Sequence, residues 1–149
     1  MNLQLVPLRI PIGWTIKWNV FTEVSPEDFT DEEHEHRWEY NEDLFQFVNY
    51  NRKKILDLGW YPEFQPNGQY RLLLIHKSDD EEQQFADWAN PLEVFNSRNI
   101  DEVKLKIEEI LLKVTRGEMR QKGKIQEVTT SPFQDVLLFS NEARKEPLI

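Results

Sequence analysis

Two apolar runs separated by a short turn sequence constrain the fold of this chain more than any other feature. The runs cover residues 55–61 and 69–76, and Pro66-Asn67-Gly68 lies between them. Proline presets φ at one turn position, while asparagine and glycine tolerate the positive φ that a tight reversal needs. The pattern therefore predicts an antiparallel β-hairpin. Because residues 72–75 are all apolar, the second arm is predicted to be covered on both faces.

Three further segments have the composition of strands. Residues 15–20 alternate polar and apolar side chains, which predicts a strand with one buried face. Residues 43–50 are rich in aromatic and β-branched side chains, and residues 92–95 are predicted to form a short strand entered through a proline. Together with the hairpin, these segments predict an antiparallel sheet of about four to six strands.

A long amphipathic helix is predicted over about residues 100–116. Asn99 is suited to the N-cap, Glu102 lies three residues later as in a capping box, and Gly117 is suited to follow the C-cap. The apolar positions recur at three- and four-residue steps: Ile100, Val103, Ile107, Ile110, Leu111 and Val114. Such a stripe packs on one face of a sheet. Strands followed by a helix predict the α+β class.

The length of 149 residues predicts a single α+β domain over residues 1–149, with a core large enough to need no disulfide or metal. Residues 118–149 are predicted to be a partly irregular C-terminal segment. Phe133 and residues 136–139 within it are apolar enough to dock on the body or on a partner. A homodimer formed through this segment is therefore one alternative.

Acidic residues are concentrated in two places. The chain has 18 Lys and Arg against 27 Asp and Glu, a net charge of −9, and the first fifty residues hold ten acidic and three basic side chains. The acidic segment spans residues 23–35, and a second acidic cluster spans residues 79–82. This charge argues against nucleic acid or an anionic membrane as a partner, since both are negative. The segments are either solvated loops or surfaces that steer a basic protein.

Tryptophans follow both acidic stretches, Trp38 after the first and Trp88 after the second. Aromatic side chains surrounded by charged ones are typical of hot spots in protein interfaces. The predicted partner-binding residues are Asp28, Asp31, Glu32, Glu33, Glu35, Trp38, Asp79, Asp80, Glu81, Glu82 and Trp88.

No residue pattern in the sequence indicates catalysis or a cofactor. Without cysteine there is no thiolate nucleophile or Cys-based metal site. His34 and His36 form an H-x-H pattern within the acidic segment, which indicates a solvated segment more than a metal site. His76 ends the most apolar strand, and a pocket there is the basis of a rival hypothesis: a ligand-binding protein or a hydrolase-like enzyme. No signal peptide is recognisable, so a cytoplasmic location is expected.

Several short stretches resemble those of small bacterial immunity proteins that neutralise polymorphic toxins. The likeness covers about two-thirds of the chain and is carried by residues 8–15, 59–62 with 67–70, 88–92, and the helix entry at 97–99. The resemblance implies an acidic, non-enzymatic protein of the cytoplasm that binds one toxin domain. It carries over no functional residue by motif.

The combined interpretation is a non-catalytic protein-binding module, an immunity-type inhibitor that occludes a basic toxin domain. No cofactor, metal, nucleic acid or membrane is expected to bind. The enzyme or ligand-binding protein near His76 and the homodimeric interaction protein remain alternatives.

Overall fold

The computed structural model describes residues 3–119. The elements are β1 (Thr15–Asn19), β2 (Phe45–Asn49), β3 (Lys54–Tyr61), β4 (Gln69–His76), α1 (Glu81–Ala89), β5 (Glu93–Ser97) and α2 (Ile100–Thr115). Two short 3₁₀ helices, Pro26–Asp28 and Arg37–Glu39, lie in the connection between β1 and β2. The predicted C-terminal docking segment, with Phe133 and residues 136–139, lies outside the described residues.

The five strands form one antiparallel sheet in the order β1-β2-β3-β4-β5. The predicted α+β class and the long helix are confirmed. β3 and β4 pair without interruption from Lys54–His76 to Tyr61–Gln69, as the hairpin pattern predicted. A bulge in β1 shifts the register between Ile16 and Trp18, so that Trp18 lies opposite Gln46.

The core face of the sheet packs against α2. It is formed by Phe45, Phe47, Leu56, Leu58, Trp60, Tyr70, Leu72 and Leu74, all of which are buried. On α2 the buried side chains are Val103, Ile107, Ile110, Leu111 and Val114. Every one of these helix positions belongs to the apolar stripe read from the sequence. Burying large apolar side chains stabilises by roughly 1.5–3 kcal/mol each, so this interface dominates the stability of the fold.

Both ends of α2 are held by the residues expected from the sequence. The side chain of Asn99 accepts a hydrogen bond from the Glu102 backbone N–H at 3.0 Å. The Glu102 carboxylate accepts from the hydroxyl of Ser97 at 2.7 Å, so the reciprocal half of a capping box is replaced. Gly117 has φ +75° and follows the C-cap, where an L side chain would be strained.

Helix α1 is the element that the sequence analysis missed. The side chain of Asp80 accepts a hydrogen bond from the Gln83 backbone N–H at 2.9 Å and caps the helix. Glu81 and Glu82 occupy its first turn, where the positive end of the helix dipole favours acidic side chains. The second acidic cluster therefore begins a helix. Among the described residues, neither helix is long and apolar enough to span a bilayer.

The second face of the sheet lies opposite α2 and is only partly covered. Val48, Ile55 and Ile75 form a small apolar cluster there, and Leu73 and Trp88 pack against it. Beside this cluster, one row of paired residues crosses all five strands; this Asp57 row consists of Trp18, Gln46, Asp57, Leu73 and Val94. Its two ends are exposed, Trp18 by 38% and Val94 by 49%.

Candidate protein-binding surface

The acidic segment is attached to the core by aromatic side chains. Phe29 and Tyr40 are both buried, and their rings stack with centroids 4.2 Å apart. Tyr40 also contacts Trp60 edge-on at 4.6 Å. Between these two anchors the chain contains the 3₁₀ helix Arg37–Glu39. The Phe64 N–H donates a hydrogen bond to the Tyr40 carbonyl, which ties this segment to the β3–β4 connection. The acidic side chains therefore project from an anchored loop.

The predicted acidic residues of this segment are all exposed: Asp28, Asp31, Glu32, Glu33 and Glu35. Ion pairs within the described residues neutralise few of them. Arg37 lies 3.8 Å from Glu32, and His36 lies 3.0 Å from Glu35. Since residues 27–43 hold nine acidic residues and one arginine, this end of the molecule carries a strong excess of negative charge.

Trp38 is the most accessible aromatic side chain of this region, with 63% of its surface exposed. One edge of its ring contacts Phe64, with centroids 4.8 Å apart, and the guanidinium carbon of Arg37 lies 5.0 Å from its centroid. Arg37 in turn donates a hydrogen bond to the Phe64 carbonyl at 3.1 Å. The ring is thus supported on one side and open on the other, as an interface anchor would be.

The structure does not bring the two acidic stretches together. The acidic segment lies at the end of the sheet where β3 turns into β4, whereas residues 79–82 follow the opposite end of β4. The eight residues of β4 separate these ends by roughly 23 Å at the usual strand rise. Asp79, Asp80, Glu81 and Glu82 are exposed, but their residue types are already explained by the start of α1.

Trp88 differs from Trp38 in its surroundings. It is partly buried and packs on the apolar cluster of Val48, Ile55 and Ile75 on the second face. One turn of α1 is fixed by Asp87, which is fully buried and accepts hydrogen bonds from Ser78 and Gln83. The position of Trp88 is therefore explained by the attachment of α1 to the sheet.

The histidines of the acidic segment lie near each other and near Phe29. The rings of His34 and His36 are 5.8 Å apart, and the His34 ring lies 5.5 Å from Phe29. The Nδ1 atom of His34 accepts a hydrogen bond from the His36 backbone N–H at 3.1 Å. Across residues 3–119, no group of three or more His, Asp or Glu side chains is arranged to hold a metal ion.

The rival hypothesis places a pocket beside His76. His76 lies half-buried at the end of β4, opposite Lys54. A cavity of about 270 Å³ lies elsewhere, between the N-terminal segment, residues 23–25 and the start of α2. Its lining combines apolar Val6, Val24 and Ile100 with charged Glu23, Asp101 and Lys104.

Asp57 is a candidate site residue that the sequence analysis did not identify. It lies in the middle of the sheet on the second face and accepts a hydrogen bond from the side-chain amide of Gln46 at 3.2 Å. Burial raises the pKa of Asp57 to about 6; the Gln46 hydrogen bond opposes this shift, and the negative charge of Asp43 adds to it. The sequence shows that Asp57 lies in a predicted strand. It does not show which residues lie opposite Asp57, because these depend on the register of the strands.

Comparison of the chain with protein-family models, with curated proteins and with solved structures finds no match.

Proposed function

We propose that this chain is a non-catalytic protein-binding module that occludes a basic protein partner in the cytoplasm, as an immunity protein occludes a toxin domain. The observation that carries the proposal is the acidic segment: its carboxylates are exposed and mostly unpaired within the described residues, yet its backbone is anchored by Phe29 and Tyr40. Anchoring matters because an ordered loop loses less conformational entropy on binding.

Two kinds of side chain would divide the work of binding. Asp28, Asp31, Glu32, Glu33 and Glu35 would attract a basic partner and accelerate its association, since charges at the rim of an interface act mainly on the association rate. Trp38 would supply the apolar contact that slows dissociation, because exposed aromatic rings on a fixed support dominate binding energy.

The proposal is tested by co-expressing the chain with the product of the neighbouring gene. The expected result is relief of growth inhibition and recovery of a complex by affinity purification. The variant Asp31→Asn, Glu32→Gln, Glu33→Gln should lose most of the protection, and Trp38→Ala should weaken binding by about 30-fold, the loss typical of a hot spot. A neighbour that is not toxic and forms no complex would contradict the proposal.

A matched control lies at the other end of the sheet. The variant Asp79→Asn, Glu81→Gln, Glu82→Gln changes the net charge by the same amount and leaves the N-cap Asp80 intact. If the acidic segment is the surface that binds, this control should retain protection. Equal loss in both triple variants would show that only the net charge of the protein matters.

A further inference from the structure

Asp57 lies in the middle of the sheet, and the part of the chain that the structure describes places no cation beside its carboxylate. Among residues 3–119 no Lys, Arg or His forms an ion pair with it. Arg71, the basic residue on the neighbouring row, directs its guanidinium over the ring of Tyr61, with 4.5 Å between guanidinium carbon and ring centroid. Asp57 is half-buried, and the one hydrogen bond to its carboxylate among the described residues comes from the Gln46 amide. Partial burial of a negative charge without a cation lowers stability, which favours a ligand of opposite charge.

The surroundings of Asp57 suit an arginine side chain in their combination of apolar and negatively charged groups. The Asp57 row is about 19 Å wide, from four strand spacings, and its exposed ends, Trp18 and Val94, are apolar. A guanidinium stacks on aromatic faces and pairs with carboxylates through two parallel hydrogen bonds. The side-chain amide of Gln46 donates a hydrogen bond to Oδ2 of Asp57, which restricts the orientation of the carboxylate.

Two acidic residues lie beside the Asp57 row and add to its negative charge. Asp43 and Glu42 are exposed and lie in the chain that leads from the acidic segment into β2. The negative charge of Asp43 acts on Asp57, and those of both residues act on Tyr61. The acidic segment and the Asp57 row are therefore connected through residues 42 and 43.

We propose that the Asp57 row is a docking site for an arginine side chain of a basic protein partner, with the guanidinium on Asp57 and the aliphatic stem against Trp18. The proposal rests on the proposed function, since it names the group of the partner that this second surface receives. The site extends the interface from the loop at the end of the sheet onto its second face.

The probe for this site is a hexa-arginine peptide added to the full chain at low ionic strength. Binding is measured by calorimetry, and its location by amide chemical-shift changes. Asp57→Asn retains an acceptor for Gln46 while removing the charge, and we expect it to weaken binding on the order of tenfold. Asp101→Asn, at the exposed start of α2, changes the net charge equally and should bind within about twofold of the unmodified chain.

The outcomes separate this inference from the proposed function. Shifts at Gln46, Asp57 and Leu73, together with selective loss in Asp57→Asn, would support the docking site. Equal affinity of the Asp57→Asn and Asp101→Asn variants, with shifts confined to residues 27–43, would overturn it and leave the acidic segment as the binding surface. Shifts on the row without any neutralisation in the co-expression experiment would contradict the proposed function alone.

Discussion

The two faces of the sheet differ in the side chains that they bury. The core face presents buried apolar and aromatic side chains to α2 and to the aromatic side chains of the β1–β2 connection. Within residues 3–119, the buried cluster of the second face consists of Val48, Ile55 and Ile75, on which Trp88 of the short helix α1 packs, and a carboxylate lies in the centre of this face. Burial on the core face therefore supplies most of the stability of the fold. This stability allows the second face to contain Asp57, a residue that lowers it.

Tryptophans on the two faces allow the comparison to be tested directly. Trp60→Ala on the core face should lower the free energy of unfolding by about 4 kcal/mol, because a fully buried indole leaves a cavity. Trp88→Ala on the second face should cost about 2 kcal/mol, since its ring is only partly buried. Urea denaturation followed by circular dichroism measures both values, and equal losses would contradict the division of roles.

Lys54 is a buried basic residue on the otherwise mainly apolar core face. Its titration should change the free energy of unfolding. It is 4% exposed at the start of β3, and burial, with the charge of Arg52 adding, lowers its pKa to about 8. Because the unfolded chain binds this proton up to about pH 10.5, the unfolding free energy should rise as the pH increases from 8 to 10.5.

The measurement compares the unmodified chain with Lys54→Met, which keeps the length of the side chain. Their difference in unfolding free energy should change by roughly 3 kcal/mol across that pH window, at 1.36 kcal/mol per unit of pKa shift. Other titrating groups cancel in the difference. A difference that stays constant with pH would show that the Lys54 ammonium is well solvated.

Asp57 should make the free energy of unfolding change with pH in the opposite direction, in the acidic range. The pKa of Asp57 is about 6 in the folded chain and 3.8 ordinarily, so the folded state binds the proton first. Relative to Asp57→Asn, the unmodified chain should therefore gain stability as the pH falls from 6 to 4, by roughly 2 kcal/mol given its partial solvation. Asp57→Asn should be the more stable protein at pH 7. A flat difference would remove the energetic argument for a cation site.

The sequence predicted most of the fold because local patterns agreed with the tertiary environment. The turn at Pro66-Asn67-Gly68 and the N-cap at Asn99 each marked an element that the structure contains. Residues 15–20 contain β1 as predicted, but the prediction of a buried face was wrong: Ile16, Trp18 and Val20 are 50%, 38% and 48% exposed, since β1 is an edge strand whose alternation is interrupted by a bulge. Helix α1 was not predicted because it lacks an apolar stripe: Phe85 is 81% exposed, and Trp88 is its main apolar contact with the sheet. Its cap, Asp80, was visible but was interpreted as part of a charged cluster.

Only one part of the candidate site could be predicted from the sequence: the charged side chains, which are usually exposed to solvent. The acidic side chains of residues 28–35 are exposed as expected. Their separation from residues 79–82 depends on the direction of β4, and the meeting of Trp18, Gln46 and Asp57 depends on a bulge in β1. Neither the strand order nor a bulge leaves a reliable signal in a single sequence, because both are set by packing between distant segments.

Two buried tyrosine hydroxyl groups on the core side are predicted to give the smallest change in the free energy of unfolding. The hydroxyl oxygens of Tyr40 and Tyr70 lie on the core side, are buried, and have no hydrogen-bond partner among the described residues. Burial raises the pKa of Tyr40 to about 12 and that of Tyr70 further. Removing an unpaired buried hydroxyl loses no hydrogen bond, so Tyr40→Phe and Tyr70→Phe should each change the unfolding free energy by less than about 1 kcal/mol.

Trp60→Phe is the matched control for these two variants. The indole N–H of Trp60 donates to the Gln65 carbonyl at 2.9 Å, so its removal loses both a hydrogen bond and aromatic volume. Its cost should exceed that of either tyrosine variant by about 1–2 kcal/mol. If Tyr70→Phe proved as costly as Trp60→Phe, the Tyr70 hydroxyl would have to be bonded. The core face would then depend on buried polar contacts at both Trp60 and Tyr70.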